Sequence, residues 1–335
     1  GRLVEQGKMK LIFTNPQHPY TKGLLACRPP VDERPDRLPT IDEFLQENTV
    51  DIRKTAQINK SERQKRHKKL YEKEPLISVQ NLEKKFVLKK PLFRKASEYI
   101  RAVDQVSLDV YPGETLGLVG ESGCGKTTLG RSILRLIEPD SGKILFEEKD
   151  ILKANHRAMK RARKKINIVF QDPYSSLNPR MSIGYAIMEP MQVHRLYKSK
   201  KERKQMVFEL LEKVGLKKEH FHRYPHEFSG GQRQRIVIAR ALALNPQFII
   251  CDEAVSALDV SVQAKVLNLL NDLKKEFGFS YIFISHDLSV VRYMSDRIMV
   301  MKDGKIIESG EADKIYYNPQ TEYTKQLIQS IPSGI

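Results

Sequence analysis

Nine consecutive residues, Gly120-Glu121-Ser122-Gly123-Cys124-Gly125-Lys126-Thr127-Thr128, combine three glycines, a lysine and two threonines in the pattern GxxxxGK[ST]. Glycine at 120, 123 and 125 lets the backbone curl so that its N–H groups point inward. A helix beginning at TTLGRSILRLI adds about half a positive charge at its N-terminus. Such a turn cradles a polyphosphate. Lys126 is placed to neutralise the β and γ phosphates and the Thr127 hydroxyl to fill one Mg²⁺ position, while Glu121, Ser122, Cys124 and Thr128 complete the turn. Cys124, between glycines and close to Lys126 and a helix start, is expected to have a lowered thiol pKa. A second cluster follows the apolar run Phe248-Ile-Ile-Cys251, which ends in Asp252 and Glu253. Neighbouring strand residues face opposite ways, so two adjacent carboxylates at a strand end take different roles. The first can hold the Mg²⁺ shell, and the second can accept a proton from attacking water.

Positioning these groups requires a buried strand before each cluster and a helix after the glycine turn. TLGLVG ahead of Gly120 and FIIC ahead of Asp252 read as such strands, so the class is α/β. The 335 residues carry 58 Lys plus Arg against 41 Asp plus Glu, a net charge of +17, and are 40% hydrophobic. That composition is globular with basic patches, and no run approaches the roughly 18 apolar residues needed to span a bilayer. Three scattered cysteines exclude a disulfide framework and fit a reducing compartment. Basic groups at HRAMKRARKK (157–165 at its centre) and RLYKSKKERK (from Arg195) are solvated helix faces or a surface that meets phospholipid or nucleic acid.

A repeat organises the chain. Laying Gly1 on Gly304, an offset of 303 residues, matches 12 of 29 positions, among them Glu5, Asn15, Pro16, Gln17, Tyr20, Thr21 and Lys22. This period is domain-sized, well beyond the roughly 20 to 50 residues of solenoids. Residues 1–30 are therefore expected to be the last hairpin and helix of a preceding domain, with Leu11, Ile12, Phe13, Leu24 and Leu25 deprived of their packing partners. Residues 31–75 are expected to be a charged linker interrupted by Pro35 and Pro39, residues 76–310 the domain proper, and 311–335 its tail.

From 76 to 332 the chain resembles the ATP-binding cassette ATPases of membrane transporters, through motifs in the family's order. Ser229-Gly230-Gly231-Gln232 is similar to the family signature, with Phe228 where many members have Leu. Gln171 in VFQDP is similar to the Q-loop, SALD ending at Asp259 to the D-loop, and His286 in FISHD to the switch histidine. Ala254 stands where Pro often follows the Walker B glutamate. Phe86 sits where the family stacks an aromatic ring on adenine, and is also a plausible edge-of-core residue. The resemblance implies a P-loop fold with a mixed sheet core, an antiparallel β subdomain and a helical signature subdomain. It implies ATP and Mg²⁺ as cofactors, Thr127, Gln171 and Asp252 as metal ligands, Glu253 as general base, His286 on the γ-phosphate and Gln171 reporting nucleotide state. Residues 229–232 and Asp259 would act in trans on a second cassette's ATP.

The tails NPQTEYT and NPQHPYT, with QDPYSSLNPRMSI and RYPHEFSGGQRQRI, resemble ATPases of oligopeptide and dipeptide importers, a group that includes nickel and glutathione importers. The implied setting is the cytoplasmic face of a membrane. Partners would be two integral permeases, an extracytoplasmic peptide-binding protein and a second cassette in the same full-length chain, with no nucleic acid. Tandem-cassette translation factors on ribosomes are the alternative, and the net charge of +17 suits RNA. Their long helical linker and lack of an NPQ…YT tail count against it.

Overall fold

A computed structural model describes residues 2–30, 34–46, 60–89 and 98–331. Gly1 and Pro332 of the repeat, and the middle of the expected linker, lie outside the described residues. In chain order the elements begin with α1 (Met9–Thr14), α2 (Pro19–Ala26), α3 (Ile41–Gln46), α4 (Lys60–Tyr71), β1 (Ile77–Lys89), β2 (Glu98–Val110) and β3 (Thr115–Val119). They continue through α5 (Lys126–Ile133), β4 (Ser141–Phe146), β5 (Lys149–Asp150), α6 (His156–Lys165), β6 (Ile166–Val169), α7 (Ile183–Val193), α8 (Lys200–Lys213) and α9 (Gly230–Leu242). The last are β7 (Phe248–Asp252), α10 (Val260–Phe277), β8 (Ser280–Ile284), α11 (Leu288–Met294), β9 (Arg297–Lys302), β10 (Lys305–Glu311), α12 (Ala312–Tyr317) and α13 (Glu322–Gln329).

Two sheets carry the domain. The larger runs β10-β9-β3-β8-β7-β6, parallel throughout except for β10 at one edge, and the smaller, β2-β1-β4-β5, is antiparallel. The strands β3, β7 and β8 of the larger sheet are buried at every position because both faces are covered. Their alternation sorts the side chains by face. Leu116, Leu118, Phe248, Ile250, Ile282 and Ile284 join the core beneath the smaller sheet and α5. Ile249, Cys251, Tyr281, Phe283, Ile298 and Val300 join the core under the helices. The helical subdomain α7 to α9 packs into this second core through Ile187, Met191, Leu211, Phe221 and Ile236. The mixed core, antiparallel sheet and helical subdomain expected from the sequence are all present.

The repeat is structural. Helix bounds in the first copy, 9–14 and 19–26, map onto 312–317 and 322–329 at the same offset of 303. Glu5 accepts from the N–H groups of Gln17 (2.8 Å) and His18 (3.2 Å), as Glu308 accepts from those of Gln320 (2.7 Å) and Thr321 (3.1 Å). The surroundings differ. In the second copy Ala312, Ile315 and Tyr316 are buried in the core, whereas Met9 and Phe13 are exposed, as are Leu11 and Leu24; Ile12 and Leu25 are partly covered.

The described parts of the 31–75 stretch are folded onto the main domain. Leu38, Ile41 and Phe44 are buried, and Asn268 of α10 exchanges two hydrogen bonds with the Leu38 backbone at 2.9 and 2.8 Å. Gly23 of α2 lies so close to Ile41 that a Cβ there would stand 3.2 Å from its Cα. The basic residues of α4 converge on two acidic groups. Arg66 meets both oxygens of Asp296 at 2.8 and 2.9 Å, His67 lies 3.3 Å from one of them, and Arg63 pairs with Asp313. Burial alone would raise the Asp296 carboxyl, but Lys274, His67, Arg66 and the Thr115 N–H outweigh it and hold it well below the ordinary range. Charge that reads as solvated in sequence is thus used on a buried carboxylate.

The basic helix α6 buries Met159, half-covers Ala158, Ala162 and Lys165, and exposes Arg157, Lys160, Arg161, Arg163 and Lys164, the solvated face of an amphipathic helix.

Candidate active site

Three segments of the larger sheet's C-terminal edge meet at one place. After β3 the chain turns through 120–125 into α5, as the strand-turn-helix reading requires. Two glycines are obligatory on steric grounds: a Cβ on Gly120 would stand 2.2 Å from Met301 O, and one on Gly125, whose φ is +110°, 2.0 Å from Ala102 O. Lys126 is 4% exposed, and its Nζ donates to Gly120 O (2.7 Å) and Glu121 O (2.8 Å), folding the ammonium back across the loop.

Thr127 and Asp252 meet directly. The threonine Oγ1 donates to Asp252 Oδ1 at 2.8 Å, while Oδ2 is buried with no hydrogen-bond partner and has Arg131 at 3.6 Å. Burial pushes the Asp252 carboxyl up, against the Thr127 hydrogen bond and Arg131. A hydroxyl beside a buried carboxylate with one oxygen left over is a hard-oxygen donor set, which fits Mg²⁺.

Glu253 follows the strand with φ +48°, a left-handed conformation that costs a non-glycine residue roughly 1–3 kcal/mol. It is kept there by its N–H donating to Ile284 O (3.0 Å) and by its carbonyl accepting from Ser256 N–H and Oγ (3.1 and 2.9 Å). The turn swings the carboxylate away from Asp252 and towards two other loops. Gln171 Nε2 donates to Glu253 Oε2 at 2.8 Å, and His286 Nδ1 lies 3.7 Å from the same oxygen. Gln171, Glu253 and His286 are thus brought together from the ends of β6, β7 and β8, with His286 half exposed and Glu253 mostly covered. Such a carboxylate, steered by a donor on one side and an imidazole on the other, can receive a proton.

The remaining expected residues lie apart from this cluster. Ser229 caps α9, its Oγ accepting from Gln232 N–H (3.4 Å) while Gln232 Oε1 accepts from Ser229 N–H (3.0 Å). Ser229 and Gly230 are exposed; Gly231 is buried against Val262, where a Cβ would stand 2.1 Å from Cγ1. Asp259 caps α10 through Val262 N–H at 3.0 Å. Among the described residues no hydrogen bond joins 229–232 or Asp259 to the 120–128 loop. Phe86 lies on β1 opposite Ile100 of β2, and its ring is 43% exposed with Lys84 Nζ 5.5 Å from its centroid, so it is no core residue. Phe228 and Ala254, the two departures from the family pattern, are both buried apolar residues.

The expectation for Cys124 is overturned. Burial raises its thiol pKa, and Lys126 3.7 Å away only partly offsets this. Burial also pushes Cys27 up to about 11 and Cys251 up to about 12. Since the thiolate is the reactive form, maleimide at pH 7 should leave all three cysteines of the folded protein unmodified within minutes and label three after denaturation. Rapid labelling of Cys124 in the native protein would contradict its burial.

One contact was not anticipated from motif spacing: the Tyr323 hydroxyl of α13 accepts from the Glu121 N–H at 3.0 Å. The only signal for it in the sequence is the repeated tyrosine, at 20 and 323.

The ABC transporter family profile matches residues 103–256, and a profile for the oligopeptide/dipeptide transporter C-terminal region matches twice, at 4–54 and 307–334. The chain is 44% identical over 333 residues to the glutathione import ATP-binding protein GsiA of Pectobacterium atrosepticum and 46% identical over 337 residues to GsiA of Escherichia coli O6:H1. In each case 99% of the chain aligns and it spans about half, 52%, of the relative. Among solved structures, the ATP-binding cassette MJ0796 in a dimeric post-hydrolysis state bound to ADP and Pi superposes with a TM-score of 0.62 at 30% identity, covering 70% of this chain and 98% of that one. CbiO1 of Clostridium perfringens, part of the cbiONQ transporter complex, gives 0.62 at 26% identity, covering 78% and 97%. With its strand-turn-helix phosphate loop, carboxylate pair and helical subdomain matched along nearly the whole of a solved cassette, the chain belongs to the ABC transporter family of nucleotide-binding cassettes.

Proposed function

We propose that this chain is an ATP-hydrolysing cassette that powers import of small peptides, glutathione included, through a membrane transporter. The observation that carries the reading is the convergence of Gln171 and His286 on the Glu253 carboxylate beside the Lys126 loop. In this account residues 120–128 bind the phosphates, and Thr127 and Asp252, with Gln171, hold Mg²⁺, which supplies charge neutralisation on the phosphate oxygens when bound. Lys126 leaves Gly120 O and Glu121 O for the γ-phosphate. Glu253 accepts the proton of the attacking water, with Gln171 and His286 fixing its orientation. Phe86, exposed on the smaller sheet, stacks on adenine.

The 229–232 segment and Asp259 are separate from the phosphate loop, so a second cassette must present its own copies across the interface. The duplicated tail supports a preceding cassette as that partner, with 2–30 built as its last elements, 76–310 as the second cassette and 311–331 as its tail. An apolar groove of about 400 Å³ beside the Gln171 loop, lined by Leu136, Ile168, Phe170, Pro190 and Val193, suits a permease segment that would feel Gln171 move. No helix among the described residues is long and apolar enough to cross a membrane, so contact with the bilayer would run through permeases at its cytoplasmic face, served outside by a peptide-binding protein. The chain's similarity to glutathione import ATP-binding proteins favours this over a ribosomal role.

The test is copurification. Affinity-tagged full-length protein from gently solubilised membranes should bring down two integral permeases in stoichiometric amount. Recovery with ribosomes instead would refute the transport reading.

A further inference from the structure

One peptide unit of the phosphate loop is held from both ends. Its carbonyl, on Gly120, accepts from Lys126 Nζ at 2.7 Å, and its N–H, on Glu121, donates to the Tyr323 hydroxyl at 3.0 Å. The carbonyl on which the lysine rests is therefore oriented by the last helix of the chain.

Tyr323 is firmly placed. It is the second residue of α13, whose start is fixed by Glu308 accepting from Gln320 N–H (2.7 Å), Thr321 N–H (3.1 Å) and Thr321 Oγ1 (2.8 Å). Its ring lies 4.8 Å from Lys302 Nζ, and the residue is 8% exposed. The counterpart Tyr20 occupies the same helix position after the same glutamate clamp, yet is 41% exposed. Among the described residues, Tyr323 reaches the 120–126 loop and Tyr20 does not.

We propose that Tyr323 is a positioning residue for the nucleotide, tying the tail to the phosphate loop. The inference rests on the ATP-binding reading of residues 120–128. Gly120, without a Cβ, cannot by itself hold the 120–121 peptide in one orientation. When Lys126 turns to a phosphate, its bond to Gly120 O is lost, and the Tyr323 bond to the Glu121 N–H is what still fixes that peptide. Without the hydroxyl, the binding-ready loop is populated less often, and apparent affinity falls by that fraction. A neutral hydrogen bond of ordinary strength corresponds to a loss of about 3- to 10-fold.

Equilibrium binding of MgATP to the full-length wild-type protein and Tyr323→Phe tests this, together with amide hydrogen exchange over 120–126 and thermal unfolding. Tyr323→Phe keeps the ring and leaves no cavity. It should raise Kd about 3- to 10-fold and speed exchange at Glu121 with an unchanged unfolding midpoint. Unchanged affinity and exchange in Tyr323→Phe, beside normal wild-type binding, would overturn the positioning role, as would a lowered unfolding midpoint with exchange speeded evenly across the protein. Absence of ATP binding by the wild type would overturn the nucleotide reading and this inference with it.

Discussion

Replacing Glu253 by Gln should reduce steady-state phosphate release by about 10²- to 10⁴-fold, the span expected for loss of a general base, while leaving ATP bound. The substitution keeps the shape of the side chain and its hydrogen bond with Gln171, because an amide can accept through its oxygen as the carboxylate does. It removes only the capacity to take a proton. The left-handed backbone at 253 is held by main-chain contacts to Ile284 and Ser256 that the exchange does not touch, so the loop should stay in place. Wild-type turnover in this variant would remove Glu253 from the chemistry.

Lys126→Ala acts earlier. The ammonium is buried among loop carbonyls, and among the described residues no other lysine or arginine side chain hydrogen-bonds to those carbonyls. Two charge-assisted hydrogen bonds to a polyphosphate amount to about 3 kcal/mol, so ATP affinity should fall roughly 100-fold. Isothermal titration with MgATP measures it directly; an unchanged Kd would show that the loop does not cradle phosphates through this residue.

Much of the site was legible because its chemistry is written in residue types at fixed spacing. The glycines at 120 and 125 are required by the backbones of Met301 and Ala102, and Lys126, Thr127 and Asp252 follow from what phosphate and Mg²⁺ demand. Gln171 and His286 were readable only from the order of motifs, since their meeting at Glu253 depends on three strand ends lying side by side in the sheet. The turn at 253 was not readable, because a glutamate carries no sign of a positive φ. Cys124 was misread for a physical reason. Gly123 has open space around it, but Gly125 is pressed by Ala102 and Met301, and the burial of Cys124 itself outweighs Lys126.

The stretch between the tails shows a similar competition. Its prolines and charges dominate the composition, but Leu38, Ile41 and Phe44 recur at about helical spacing and are buried, and Arg63 and Arg66 are committed to Asp313 and Asp296. Local polarity reports what a segment can tolerate in water. It does not report a buried acidic partner some 230 residues away in the chain.

The most direct test of the account places the two variants side by side in the full-length protein, measuring retained nucleotide and released phosphate in the same sample. Lys126→Ala should lack both bound ATP and phosphate release, whereas Glu253→Gln should keep ATP, intact, and release almost no phosphate. The same defect in both variants, or phosphate release from Glu253→Gln at the wild-type rate, would contradict a site in which the lysine loop binds and the glutamate turns over.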